Sequence, residues 1–213
     1  MTQCPVCASE KDYQRIGQHW SNSTSCDFPY PSENERAVFT GLWLAGATVS
    51  ETGNNPLLLK TSKYKEALEW IADEIGVWHS TIKEGSGRET LTEFTGDQTE
   101  HKYEKWRWTS VSCPWLQHLV DASLTNEFVD FSPRAAQIFT SFRGTVNNSG
   151  SLALWYPDGS AFADLLADHG FSVTTHAYEG RSDLLWFDRQ TSVEYLDWID
   201  GPIPPLAMKF ESG

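Results

Sequence analysis

Small and apolar residues recur at helical spacing in Phe39–Ser50, which reads FTGLWLAGATVS. Ala37, Gly41 and Ala45 fall every four residues and leave one face with almost no side chain on it. Such a face lets a second helix approach at backbone contact. Ser32-Glu33-Asn34-Glu35 has the form of a capping box that starts this helix, and Gly46 ends it. Thr48–Ser50 and Pro56–Thr61 flank Gly53-Asn54-Asn55, a turn composition that predicts a hairpin. Ser62 is expected to cap the next helix, in which Tyr64, Leu68, Ile71 and Ile75 share one face and Gly76 closes the last turn. Val77–Ser110 reads as further strand, with turns at Gly85–Gly87 and Gly96–Asp97. Ser112-Cys113-Pro114 opens a helix running to about Ser123.

The second half repeats this order. Ser132-Pro133 caps the helix RAAQIFTSFRG, where Ala136, Thr140 and Gly144 again form a small-residue stripe. Asn147–Gly150 is a turn and Leu152–Tyr156 a strand. Ser160–His169 is a helix closed by Gly170. Val173–Ala177 and Leu184–Asp188 pair across a loop containing Gly180. Thr191-Ser192-Val193-Glu194 has capping-box form for a last helix, which Gly201-Pro202 stops. The chain therefore reads as α+β, with two αββαββα halves over residues 32–127 and 128–213. A distinct segment, residues 1–31, precedes them and ends at the stiff joint Pro29–Pro31.

That first segment changes the chemistry. Cys4-Pro5-Val6-Cys7 is followed by His19 and Cys26, a Cys₃His set of the type that holds structural zinc. Rich in Ser and other polar residues, it has little apolar mass and needs such a staple to keep a shape. The remaining histidines, His79, His101, His118, His169 and His176, show no metal spacing. No GxGxxG, P-loop, GxSxG or HExxH is present.

Charge points the other way from nucleic acid. With 29 acids against 16 Lys plus Arg, the chain carries −13 at neutral pH, whereas phosphate contacts want a basic footprint. An acidic surface of this kind fits a protein from a salt-loving source, where screening shortens to a Debye length of ~3 Å at 1 M. No window approaches the ~20 apolar residues of a membrane span. No charged region leads into an apolar run at the N-terminus, so a cytoplasmic protein is expected.

The line TGLWLAGATVS followed by NPLLLKTSKYKEALEWIADEIG resembles the LAGLIDADG homing endonuclease family, whose signature helix is followed by a β-hairpin and then a helix. The resemblance covers about residues 32–210 and implies a pseudo-twofold monomer, its two halves joined through the signature helices. In that family each such helix delivers one carboxylate to a shared Mg²⁺ site that cleaves DNA. Here the first acid position holds Gly46. The second, aligned on Gly144-Thr145-Val146, holds Arg143; sliding the register by two residues gives Thr145. Arg143 would grip a phosphate and repel a metal ion. Glu51 and Asp158 are the substitute acids available, although Pro157 and the following helix favour Asp158 as a helix cap. The family's sheet faces contact DNA, so Lys60, Lys83, Arg88, Lys102, Lys105, Arg107, Arg181 and Arg189 join Arg143 as candidate nucleic-acid contacts. Three readings follow. One is a DNA- or RNA-binding protein that has lost both catalytic acids, acting as a regulator or a splicing maturase. The others are an active endonuclease using substitute acids with Mg²⁺, and an assembly protein that reuses the scaffold for protein partners.

Overall fold

The computed structural model describes residues 2–211, apart from 5, 8–11, 14–15, 24–25, 27, 52–54, 93–97 and 123–129. Of residues 2–3, 12–13, 21, 86–92 and 98–103 it describes the backbone alone. In chain order the elements are β1 (Thr2–Gln3), β2 (Asp12–Tyr13), α1 (Ile16–Asn22), α2 (Glu33–Leu44), β3 (Thr48–Ser50), β4 (Leu57–Ser62), α3 (Lys65–Ile75), β5 (His79–Thr92) and β6 (Gln98–Ser110). They continue with α4 (Gln117–Val120), α5 (Pro133–Arg143), β7 (Gly144–Val146), β8 (Leu152–Tyr156), α6 (Gly159–Asp168), β9 (Thr174–His176), β10 (Asp183–Trp186) and α7 (Arg189–Trp198). The two four-stranded antiparallel sheets have the orders β3-β4-β6-β5 and β7-β8-β10-β9, the same arrangement twice. This is the two-repeat α+β architecture that the sequence pattern predicts.

Contacts divide the chain into two compact units that do not follow chain order. One comprises Met1–Tyr30 with Ala47–Gln117, the other Pro31–Gly46 with His118–Gly213. In the first unit α3 lays Ala67, Leu68, Ile71 and Ile75, all buried, beneath a sheet that contributes Leu58 and Trp108. In the second, Phe131, Phe139, Phe162, Leu154, Leu185 and Tyr195 pack into one core that also takes Leu44 and Ala45 from the end of α2.

The helix starts follow local chemistry. Ser32 and Glu35 form the reciprocal capping box on α2, with Ser32 N donating to Glu35 Oε2 at 2.6 Å. Ser132 caps α5 and Asp158 caps α6. Four local expectations are corrected. Ser62 does not cap α3; its hydroxyl accepts from Tyr64 N, and the helix begins without a side-chain cap. The cap of α7 is Asp188, which accepts from Thr191 N, so Thr191 lies inside the helix it was expected to start. Gly85–Gly87 is no turn: β5 runs through it, because β6 pairs with it without interruption. The helix from Pro114 is a single 3₁₀ turn followed by α4 and stops at Val120. Gly53, Asn54 and the Gly96–Asp97 turn lie outside the described residues.

α2 and α5 pack inside the second unit at backbone distance. A Cβ at Gly41 would lie 2.5 Å from Ala135 O and 2.6 Å from Ile138 Cβ. The side of α5 that receives Gly41 is therefore Ala135 and Ile138. The expected stripe turns elsewhere: Thr140 Oγ1 pairs with Tyr195 OH at 2.8 Å, and a Cβ at Gly144 would meet Leu154. A four-residue repeat of small side chains marks a close approach and does not say which neighbour makes it.

Two predictions follow from this packing. Gly41→Leu forces the helices apart and lowers unfolding free energy by about 2–3 kcal/mol, read by urea denaturation. His79 stacks on Trp108 at 6.3 Å, and neither His79 Nδ1 nor Trp108 Nε1 has a hydrogen-bond partner. Burial pushes the imidazole below its ordinary value, against a smaller upward pull from Asp73. The folded state thus favours neutral His79, and its stabilising contribution is present above the unfolded value of about 6.5 and lost as pH falls below it. Thermal denaturation between pH 7.5 and 5.5 should fall less steeply in His79→Phe than in the wild type.

Candidate metal cluster, helix tips and basic sheet face

Three places gather chemistry. In the first, β1 pairs antiparallel with β2, with Cys4 directly after β1 and Cys7 three residues on. α1 supplies His19, and Cys26 follows it. The helix is held by buried Ile16 and Trp20, whose ring lies 5.2 Å from that of Trp78, and by Gly17, where a Cβ would collide with Val111. Cys4 Sγ and Cys26 Sγ are 3.3 Å apart, and Cys7 Sγ lies 3.5 Å from His19 Nε2. All four donor atoms lie within 4.8 Å of one another, the one grouping of three or more such ligands among the described residues.

The electrostatics of this cluster favour a cation. Burial pushes the Cys4 thiol up, but backbone N–H groups of Cys7 and Val6 and the Trp20 indole outweigh it and bring Cys4 down to about 6. Burial, together with the neighbouring thiols of Cys4 and Cys7, pushes Cys26 up to about 12. Two thiols 3.3 Å apart oppose one another's ionisation, and a cation bound between them would relieve this. Four converging N/S donors, with backbone and indole N–H groups donating to the Cys4 sulfur, fit tetrahedral zinc, whose S···S edges are about 3.8 Å, and leave no open position for catalysis. The four residues expected from their spacing are the four brought together.

The second place is the end of the α2–α5 pair. Both helices terminate here, so both present carbonyl ends where partial negative charge collects. Gly46 follows α2 with φ +88°, and Arg143 is the last residue of α5. The Arg143 side chain reaches across to α2: Nε donates to Ala45 O at 3.0 Å, and a Cβ on residue 46 would strike Nη2. Burial lowers the guanidinium's affinity for its proton, and Tyr156 opposes this weakly from β8. Asp158 Oδ1 accepts from Ala161 N as the α6 cap, and Glu51 is exposed just past β3. Thr145, the alternative register, is exposed on β7.

The third is a face of the first sheet. Side chains alternate across a strand, so cross-strand partners share a face. Thr61 on β4 pairs with Arg107 on β6, which pairs with Lys83 on β5; Lys105 pairs with Gly85. These residues, together with Glu84, line a cavity of about 220 Å³. The alternate positions Leu58, Lys60 and Trp108 face α3 and are buried. Lys60, 7 % exposed, is therefore corrected from a surface contact to an inward position. Arg88 and Lys102 pair with one another further along β5 and β6, their side chains outside the described residues. Arg181 and Arg189 are exposed in the second unit, Arg181 in the turn between β9 and β10 and Arg189 at the start of α7. No described carboxylate lies within ion-pair distance of Lys83, Lys105 or Arg107. Lys83 and Arg107 are like charges directly opposite one another, an arrangement that destabilises a sheet unless an anion offsets it.

The fold is LAGLIDADG-like. The chain superposes on the homing endonuclease I-WcaI bound to its DNA recognition sequence with a TM-score of 0.67 at 12% identity, over 93% of this chain and 92% of that one. Full-length DUF199/WhiA from Thermatoga maritima matches with a TM-score of 0.51 at 11% identity, over 90% of this chain and 62% of that protein. No protein-family model and no curated protein matches the sequence. Among the described residues no helix is long and apolar enough to cross a membrane.

Arg143→Met tests the helix-tip contact. It keeps the aliphatic stem, removes the donor to Ala45 O and costs about 1–2 kcal/mol in thermal denaturation. An unchanged melting temperature would make the guanidinium a bystander.

Proposed function

We propose that this chain is a nucleic-acid-binding protein that uses the LAGLIDADG-like fold without metal-dependent strand cleavage. The observation that carries the reading is the convergence of Lys83, Lys105 and Arg107, unpaired by any described carboxylate, on the face of the first sheet that α3 leaves open. In a chain of net charge −13 such a group is out of place unless an anion neutralises it. Phosphate contacts from these strands would orient a nucleic-acid backbone along the sheet.

Loss of cleavage rests on Arg143. The metal-dependent route to in-line displacement at phosphate uses metal ions that carboxylates hold. Here the two helix ends are neutralised from within, by a guanidinium hydrogen-bonded to one of them. That leaves both the charge and the space unsuited to Mg²⁺. Cys4, Cys7, His19 and Cys26 hold a structural zinc, which fixes the N-terminal segment on the first unit and takes no part in phosphate chemistry.

Fluorescence anisotropy with labelled DNA and RNA across a KCl series tests the binding. The wild type should bind with a steep inverse dependence on salt, and Lys83→Ala with Arg107→Ala should weaken binding and flatten the slope by about 2. Salt-independent retention, or none, would support an assembly protein. The same oligonucleotides with Mg²⁺ or Mn²⁺ should stay intact, and double-strand cuts would restore the endonuclease reading with Glu51 or Asp158 as ligands. Elemental analysis should find stoichiometric zinc that Cys7→Ser loses; folded wild-type protein without zinc would refute the cluster's role.

A further inference from the structure

The second sheet differs from the first in what its open face presents. One face of β7-β8-β10-β9 is closed by the core, through Leu152, Leu154 and Leu185. On the other, Trp155 pairs with Leu184, Leu184 with His176, and Trp186 with both Ala153 and Thr174. Trp155 is 37 % exposed and Tyr178, just past β9, is 43 % exposed; their rings lie 5.9 Å apart at 42°. The four strands contain no lysine or arginine. This face cannot hold a phosphate backbone along its length as the first sheet's can.

The geometry points to this face as a stacking platform for unpaired nucleobases, with Trp155 and Tyr178 as the stacking rings. The inference rests on the nucleic-acid reading above and narrows its ligand to a strand with unpaired positions. Bases in a duplex already cover one another's faces, so an exposed aromatic on a sheet gains stacking only from a base that is splayed out. The surround suits a nucleotide better than an aliphatic protein surface. Exposed His176 and Thr174 sit on the same strand, and exposed Arg181 follows Tyr178 in a turn closed by Arg181 N donating to Tyr178 O at 3.3 Å. Arg181, three residues past Tyr178 in this turn and next but one to exposed Glu179, is the cation this reading gives the phosphate contact.

The test compares a fluorescein-labelled single-stranded RNA of mixed sequence with the same RNA as a perfect duplex, for the wild type, W155L/Y178L and W155F/Y178F. Leucine keeps apolar area and removes the π-face; phenylalanine keeps both. The wild type should favour the single strand by about tenfold or more, the leucine variant should lose that preference while its duplex affinity stays, and the phenylalanine variant should keep it. Circular dichroism confirms that both variants fold. Equal wild-type affinity for both RNAs, or an undiminished preference in the leucine variant, would overturn the platform and leave nucleic-acid binding standing. Binding to neither RNA would end both. Light scattering that shows a wild-type dimer and a monomeric leucine variant would assign the face to a second copy of the chain and overturn the platform too.

Discussion

Two helix C-termini brought together create a problem of charge, and in this chain a guanidinium answers it. α2 and α5 approach closely enough that Gly41 touches the backbone of Ala135, so their carbonyl ends converge on one point. Partial negative charge at such a point calls for a cation. A diffusible metal ion needs acids to hold it, and acids add to the negative charge before the metal arrives. Arg143 supplies the cation covalently, with its Nε on Ala45 O. Gly46 is the counterpart of that choice: its φ of +88° is a conformation L side chains rarely adopt, and a Cβ there would meet the tip of the Arg143 guanidinium.

On the proposed reading the helix tips hold no metal, and strand alternation sorts what each sheet presents. On the first sheet it sends Lys60 inward to α3 while Lys83, Lys105 and Arg107 stay outward. On the second it sends Leu154 and Leu185 to the core and leaves Trp155 outward. Two sheets of the same strand order thus present opposite chemistries, one cationic and one aromatic. The repeated topology is a shared scaffold, on which the two sheets differ in their outward positions.

Much of this was legible in the sequence because it depends on local chemistry. Capping residues Ser32, Ser132 and Asp158, the closing glycines at 76 and 170, and the CxxC, His and Cys spacing each act over a few residues, and each stands where the pattern puts it. The misreadings share a cause. Gly85 and Gly87 carry turn composition, yet long pairing with β6 outweighs it. Thr191-Ser192-Val193-Glu194 has capping-box form, yet Asp188 three residues earlier takes the helix start. Lys60 looks like its charged neighbours until the register with Trp108 fixes its face. The stripe on α5 was visible as a stripe, but its partner was not, since that depends on which helix side meets Gly41. The reach of Arg143 across to Ala45 joins residues 98 positions apart, beyond any local signal.

Anomalous diffraction from crystals soaked in Mn²⁺ tests the helix-tip assignment most directly, because it reports where a divalent ion sits without requiring any activity. Ordered anomalous density should be absent beside Gly46 and Arg143, with the guanidinium still on the Ala45 carbonyl. A manganese peak between the two helix ends, with Arg143 displaced and a carboxylate drawn in to hold the ion, would contradict it.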